Sequence, residues 1–435
     1  MKNIWKNYKT TIVLIFSLII GAIAGLIFGE KTLIVKPIGT LFMNLLLVII
    51  VPLIFLTIST SIAAIKKPKR LGKVLRSIVI TFVVTSLVAC AVGLVSTYSV
   101  KLVDSGDKTA IMEQFYTEEE ADSAVTEIEA DDRNFLERTV DALTVDDFSK
   151  VLSRNNILAV VVISILVGLA TNKAGKDGEK LEELLKSANA VVLKLVDLIF
   201  VIAPVGLGCY FAALVGTFGS EIAIGFGKTF VIYTVVSILF YLIVYSIYAF
   251  IAAGTEGVKT FWKNILPATA TSLATCSSAA SIPINVKCAK GMGVSDDIAE
   301  TIIPLGTTFH KDGSIIGSVF KIMFLVYLLG SNASLLQIIG VALVANVLVA
   351  AVPVGGGTIS EMLIITAMGF PATALPILTI IATIIDPQAT LLNVTGDTAS
   401  SMLTARMVDG KEWMNKKTDN NEEEKETKQT KKKLK

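Results

Sequence analysis

The sequence predicts an all-α polytopic membrane protein, and three observations carry that prediction. Only 17% of the 435 residues are charged while 53% are hydrophobic, against about 25% charged in an ordinary soluble protein. The charge is also segregated: of 39 basic and 37 acidic residues, 19 fall in residues 104–150 and 16 in residues 409–435. The remaining apolar body contains runs that reach or exceed the roughly 20 residues needed to cross a 30 Å hydrocarbon core. Such a composition excludes a disordered chain, and a net charge of +2 offers no basic face for nucleic acid. Cys90, Cys209, Cys276 and Cys288 form no CxxC pair and no metal-cage spacing, so they read as packing residues.

Taken in order, Lys2, Lys6 and Lys9 precede an apolar run at 11–28 that no small-residue cleavage site follows, so it reads as the first span. Further runs lie at 33–65, 77–102, 157–170, 181–215 and 226–253, several of them long enough to demand tilt or kinks. Lys66, Lys67, Lys69, Arg70, Lys73 and Arg76 crowd one loop, which the positive-inside rule places in the cytoplasm together with the amino terminus. Glu118, Glu119, Glu120, Asp131 and Asp132 mark the next connection as external, and Lys173, Lys176 and Lys180 bring the chain back. The terminal Lys431, Lys432, Lys433 and Lys435 hold the carboxyl end inside, so the number of spans is even.

Beyond residue 255 plain spans give way to interrupted ones. Residues 267–283 are rich in Ser, Thr and Ala, residues 304–317 mix Gly with charge, and residues 352–357 form a Gly-rich break in apolar sequence. Irregular backbone at membrane depth survives only when buried in protein or lining a wet cavity. The interruptions come in pairs, 260–290 then 296–329 and 340–370 then 374–407, which is the mark of inverted repeats in a secondary transporter.

Three clusters carry the candidate chemistry. Cys276-Ser277-Ser278-Ala279-Ala280-Ser281-Ile282-Pro283 can turn tightly and offer uncharged donors to a carboxylate, or simply pack as small residues. His310-Lys311-Asp312-Gly313-Ser314 places ionisable groups between apolar flanks, where each costs about 2.5–3.5 kcal/mol and marks a functional candidate. His310 is the one histidine of the chain and reads as a hydrogen-bonded structural residue or a proton relay. In the third cluster, helical spacing puts Asp386, Thr390, Asn393 and Asp397 on a single stripe, a hard-oxygen lining for ammonium or cations.

The order of these motifs resembles the dicarboxylate/amino acid:cation symporters, the glutamate transporter family. A serine-rich hairpin ends in Pro283, Pro304-Leu305-Gly306 precedes Asp312-Gly313-Ser314, a Gly-rich hairpin follows, and Asn393-Val394-Thr395-Gly396-Asp397 closes the set. The resemblance implies eight transmembrane helices plus two re-entrant hairpins, an elevator mechanism, a homotrimer, and residence in the cytoplasmic membrane. It implies a scaffold of residues 1–75 and 151–220, with residues 76–102 and 221–255 in the transport part. Residues 103–150 then form an acidic external loop, 256–408 a substrate-binding core and 409–435 a disordered cytoplasmic tail. By the same resemblance Ser277 and Ser278 hold the substrate α-carboxylate, Asp386 the α-ammonium, and Asn393, Thr390 and Ser314 are polar contacts. The hairpin at Val352, Gly355 and Gly356 is the outer gate. Thr85, Ser86, His310, Lys311, Asp312, Asn393 and Asp397 are expected to form the coupling or cation site, with Asp312, Asn393 and Asp397 as candidate sodium ligands.

The departures from that pattern narrow the substrate. Ala389 stands where the family carries the arginine that grips an acidic side chain, so a neutral amino acid is expected; an acidic amino acid or dicarboxylate is the alternative. The family motif Asn-Met-Asp-Gly-Thr reads His310-Lys311-Asp312-Gly313-Ser314 here, and the tyrosine before the Thr85-Ser86 pair is Phe82. Lys311 is expected either to replace a sodium ion, leaving coupling reduced, absent or proton-borne, or to turn toward water and leave sodium coupling intact. Glu361 is expected to face the outer vestibule, with pairing to a substrate or to Lys311 as the alternatives. No cofactor is implied beyond a sodium ion or proton as coupling ion. An intramembrane hydrolase using Ser278 with Lys311 or His310 lacks a nucleophile-elbow motif, and an ion channel is the remaining alternative.

Overall fold

The computed structural model describes residues 2–63, 71–103, 144–151, 153, 156–347 and 357–414. The expected outer gate at Val352, Gly355 and Gly356, the bulk of the acidic loop and most of the carboxyl-terminal tail lie outside these residues. Among the described residues there is no strand. The elements are α1 (Lys2–Phe28), a 3₁₀ segment (Gly29–Val35), α2 (Lys36–Ala63), α3 (Leu71–Ser99), α4 (Ile157–Lys173), α5 (Lys176–Phe200), α6 (Ala203–Phe218) and α7 (Ser220–Leu239). After a π-helical segment (Phe240–Val244) come α8 (Tyr245–Thr275), α9 (Ser278–Gly291), α10 (Asp296–Phe309), α11 (Asp312–Leu329), α12 (Leu335–Val347), α13 (Gly357–Met368) and α14 (Leu375–Asp409).

Five helical stretches are long and apolar enough to cross a membrane among the described residues, and four shorter apolar helices accompany them. Many large apolar side chains stay exposed, among them Phe16, Ile20, Ile27 and Val48, a surface that hydrocarbon tolerates and water does not. The apolar run expected at 181–215 is not one span. The chain leaves the helix at Val201–Ile202, where Pro204 starts α6, because proline fits a first helical turn and not a helix interior.

The chain clusters into two compact units. The first comprises Met1–Lys66, Cys90–Thr234 and Ile315–Asp386, so residues 315–386 group with the amino-terminal helices and not with the remainder of the expected 256–408 core. In this unit α1 meets α6 through Gly21 and Gly25, a G-x-x-x-G pair. A β-carbon on Gly21 would overlap the Gly208 carbonyl oxygen, and one on Gly25 would lie 2.7 Å from the Ala212 carbonyl oxygen. Phe226 joins Phe211 and Phe324 at centroid distances of 5.0 Å. Glu361 of α13 is fully buried, which corrects the expected vestibule position. Its Oε1 lies 3.4 Å from Lys321 Nζ, and its Oε2 accepts from Thr379 at 2.9 Å. The vestibule reading failed because Lys321, one helix away, supplies a counter-charge inside the protein.

The second unit comprises Lys67–Ala89, Val235–Ser314 and Pro387–Lys435. Here α8 breaks at Ala253 and Gly254, the latter at φ 62°, and folds back on itself. Tyr241 consequently reaches the Thr269 hydroxyl at 2.6 Å, although 28 residues of straight helix would separate them by about 42 Å. A second reversal follows at Cys276, at φ 46°, which ends α8, and Ser277, which caps α9 by accepting from Ala280 N–H at 3.2 Å. These two reversals make residues 254–291 a helical hairpin.

Candidate functional site

The site grows from a two-residue break in a helix. Helix α10 carries Pro304 in its interior and stops at Phe309; His310 is extended, with φ −126° and ψ 115°, and α11 starts at Asp312. The carbonyl end of α10 thus faces His310 and the amide end of α11 carries Asp312, so each helix dipole favours the sign of charge placed there. Interrupted helices of this kind are how membrane transporters present backbone polarity and charge to a bound solute.

Three glycines let the backbones close around the break. A β-carbon on Gly306 would collide with the Asp397 carboxylate, and one on Gly396 would lie 2.6 Å from Tyr245 Oη and 2.8 Å from Asp312 Oδ2. One on Gly313 would overlap the Ala389 carbonyl oxygen. The result is a tightly enclosed cluster: His310 and Asp312 are 0% exposed and Asp397 is 1% exposed. Charges buried this deeply must be neutralised by protein groups or by a bound ion, because water does not reach them.

Within the cluster His310 lies between the two carboxylates. Its Nδ1 is 2.9 Å from Asp397 Oδ1, and its Nε2 is 3.1 Å from Asp312 Oδ1 and 2.8 Å from Thr85 Oγ1. Phe82 stacks on the imidazole at 4.5 Å with an interplanar angle of 14°. Lys311 is the second residue of the break, between His310 and the start of α11 at Asp312. Tyr245 Oη is 3.2 Å from Asp312 Oδ2 and 2.7 Å from the Leu392 carbonyl; with one proton to give, it favours the shorter contact.

Beside the cluster, Asn393 clasps the first turn of α11: its Oδ1 accepts from Ser314 N–H at 3.1 Å and its Nδ2 donates to Ser314 Oγ at 2.9 Å. Asn285 of α9 donates to the Val394 carbonyl at 2.8 Å and accepts from Thr398, which fastens the first hairpin to α14. Thr81 of α3 receives Thr404 at 3.3 Å.

The candidate residues therefore divide. Thr85, His310, Asp312 and Asp397 meet, with Lys311 next to them in the chain, Ser314 meets Asn393, and Ala389 lies with its backbone against Gly313. Thr390, Asn393 and Asp397 are buried along α14, as is Ser86 on α3, whereas Asp386 on the same stripe is exposed. Ser277 Oγ accepts from the cap of its own helix and keeps its proton to donate, and Ser278 begins α9 half-buried. Sequence reasoning missed Tyr245, Asn285 and Lys321. Tyr245 stands in an apolar run with no local mark, while Asn285 and Lys321 are isolated polar residues in apolar helices, a signal that was available.

Comparison with known proteins agrees with this geometry. The model of the sodium:dicarboxylate symporter family matches residues 11–407. An uncharacterised symporter of Haemophilus influenzae is 26% identical over 433 residues, covering 92% of this chain and 95% of that protein. The C4-dicarboxylate transport protein of Caulobacter vibrioides is 25% identical over 414 residues, with 93% and 95% covered. The neutral amino acid transporter B(0) of Rattus norvegicus is 28% identical over 260 residues, 58% of this chain and 46% of that protein. These relatives are transporters and not enzymes. An apolar helical body, a charged break enclosed by glycines and a family match over nearly its whole length place this chain in the sodium:dicarboxylate symporter family.

Proposed function

We propose that the chain is a secondary transporter that carries a small neutral amino acid across the cytoplasmic membrane by an elevator motion, as a homotrimer with both termini in the cytoplasm. The observation that carries the substrate class is Ala389, buried in α14 at the position where the family resemblance expects a guanidinium for a second carboxylate. Among the described residues the arginines are Arg76 and Arg406, near the start of α3 and in the last turn of α14 and not at the break. A side-chain carboxylate would lack the bidentate partner that makes such recognition strong. Ser277 and Ser278 at the hairpin tip take the substrate carboxylate, and Asp386, exposed on α14, takes its ammonium. Asn393 and Thr390 complete the polar wall. Coupling is weaker than in a carrier driven wholly by sodium, because His310 and Lys311 already accompany Asp312 and Asp397.

A second reading has its own support: Lys311 is a cation beside the break, and the Caulobacter relative is a C4-dicarboxylate transport protein. Uptake into proteoliposomes separates the two. Labelled alanine, serine and cysteine are expected to accumulate and to show counterflow, with Asp386→Ala abolishing binding. Preferential uptake of aspartate or succinate would overturn the neutral reading, and normal amino acid binding by Asp386→Ala would overturn the ammonium assignment.

A further inference from the structure

We infer that Trp413 is a positioning residue for the first helical hairpin: seated on both of its feet, the indole sets where Ser277 and Ser278 are held at its tip. The inference rests on the reading of those serines as the carboxylate site, although the contacts that carry it do not. The sequence reads residues 409–435 as tail, yet Trp413 is 2% exposed while its neighbours Lys411 and Glu412 are exposed. Gly410 makes this burial possible. At φ 85° it ends α14 in the left-handed conformation, its N–H on the Arg406 carbonyl at 3.1 Å, so the chain turns away from the helix axis at once.

The near foot of the hairpin is the break of α8 at Ala253 and Gly254, which strips the carbonyls of the preceding turn of their helical partners. Ala252 is 0% exposed, and its carbonyl accepts from the Trp413 Nε1–H at 3.0 Å. The far foot is the turn after α9, where Gly293 stands at φ 97°. A β-carbon there would lie 3.6 Å from Met414 Cα and 3.8 Å from Trp413 Cζ3. The segment that bridges the feet is itself held to α3, since Lys73 Nζ donates to the Val408 carbonyl at 2.8 Å. The hairpin root is thereby referred to α3 and α14, the helices that carry Thr85 and Asn393. Farther up, Asn285 ties α9 to α14 through the Val394 carbonyl and acts as a pivot. It stands eight residues from Ser277 and eight from Gly293, about 12 Å of helix on either side. A shift of about 1 Å at the feet therefore moves the tip by about 1 Å, more than the roughly 0.5 Å a binding constellation tolerates.

The test uses the purified full-length protein, in detergent and in proteoliposomes. Trp413→Phe keeps an aromatic ring and removes the N–H, so the Ala252 carbonyl loses its partner. The first readout is the rate at which a maleimide modifies Cys276 at the hairpin tip and Cys90 in α3, located by peptide mass. Cys276 is expected to react about threefold to tenfold faster than in the wild type, the equilibrium weight of one hydrogen bond, while Cys90, 1% exposed, keeps its rate. The second readout is uptake of labelled serine, with KM raised by the same factor and the maximal rate within about twofold of wild type. Unchanged Cys276 reactivity would overturn the inference. So would equal acceleration at Cys90, which marks general loosening, or an uptake defect confined to the maximal rate. Trp413→Leu should exceed Trp413→Phe in both readouts, and if it does not fold, Trp413→Phe decides alone. Should the wild type take up no serine, the neutral amino acid reading falls while the thiol rates still test the bridge, so the two conclusions fail separately.

Discussion

The Lys321–Glu361 pair offers the sharpest test of how this protein keeps charge in its interior. Both partners are buried, at 5% and 0% exposure, with Nζ and Oε1 3.4 Å apart. At an effective dielectric of about 20 their gross attraction is about 5 kcal/mol, of the same order as the desolvation cost of the two ions. The net value of the pair is therefore small, while the cost of breaking it is large. Glu361→Leu strands an ammonium and Lys321→Met strands a carboxylate, and each should destabilise by about 3–5 kcal/mol. Lys321→Met/Glu361→Leu removes both charges. Thr379 keeps its bond to the Leu375 carbonyl at 3.1 Å, so no new polar orphan appears. The double variant should be within about 1 kcal/mol of wild type, or more stable. Reversible unfolding by denaturant in mixed micelles, followed by tryptophan fluorescence, measures all four forms of the cycle. Single variants costing under about 1 kcal/mol, or a double variant costing the sum of the singles, would refute the reasoning.

Three further outcomes follow from the same contacts. Gly313→Ala drives a methyl into the Ala389 carbonyl and should cost about 1–3 kcal/mol with loss of uptake, read by thermal unfolding and transport. Asn285→Ala leaves the Val394 carbonyl and the Thr398 hydroxyl without their partner; a loss of about 1–3 kcal/mol and faster proteolysis within 276–291 are expected. Cys276 sits in the left-handed region at φ 46°, so Cys276→Val should destabilise by about 1–2 kcal/mol, whereas Cys276→Gly should be neutral or slightly stabilising in the same assay.

The fold class was legible because burial in oil acts on composition. Few charges in long runs, basic loops and paired interruptions survive any detail of packing, so helices and membrane residence could be read directly, whereas the hairpins came from the family resemblance. The break at 310–311 was legible too, since a charged triplet between apolar flanks has no other comfortable place. Less visible was the end of the run at 181–215, where Pro204 marked the break but hydropathy overrode it.

What the sequence determined by itself is that ionisable groups sit within apolar helices and that the chain has the plan of a transporter. What only the tertiary structure decided is which charge meets which. Glu361 finds Lys321 across helices, and His310, rather than Lys311, lies between Asp312 and Asp397 with Phe82 against its ring. The physical reason is range. Hydrophobic periodicity is a property of neighbours along the chain, whereas an ion pair depends on ångström distances between residues that are 40 and 87 positions apart, set by glycine contacts that no local pattern records.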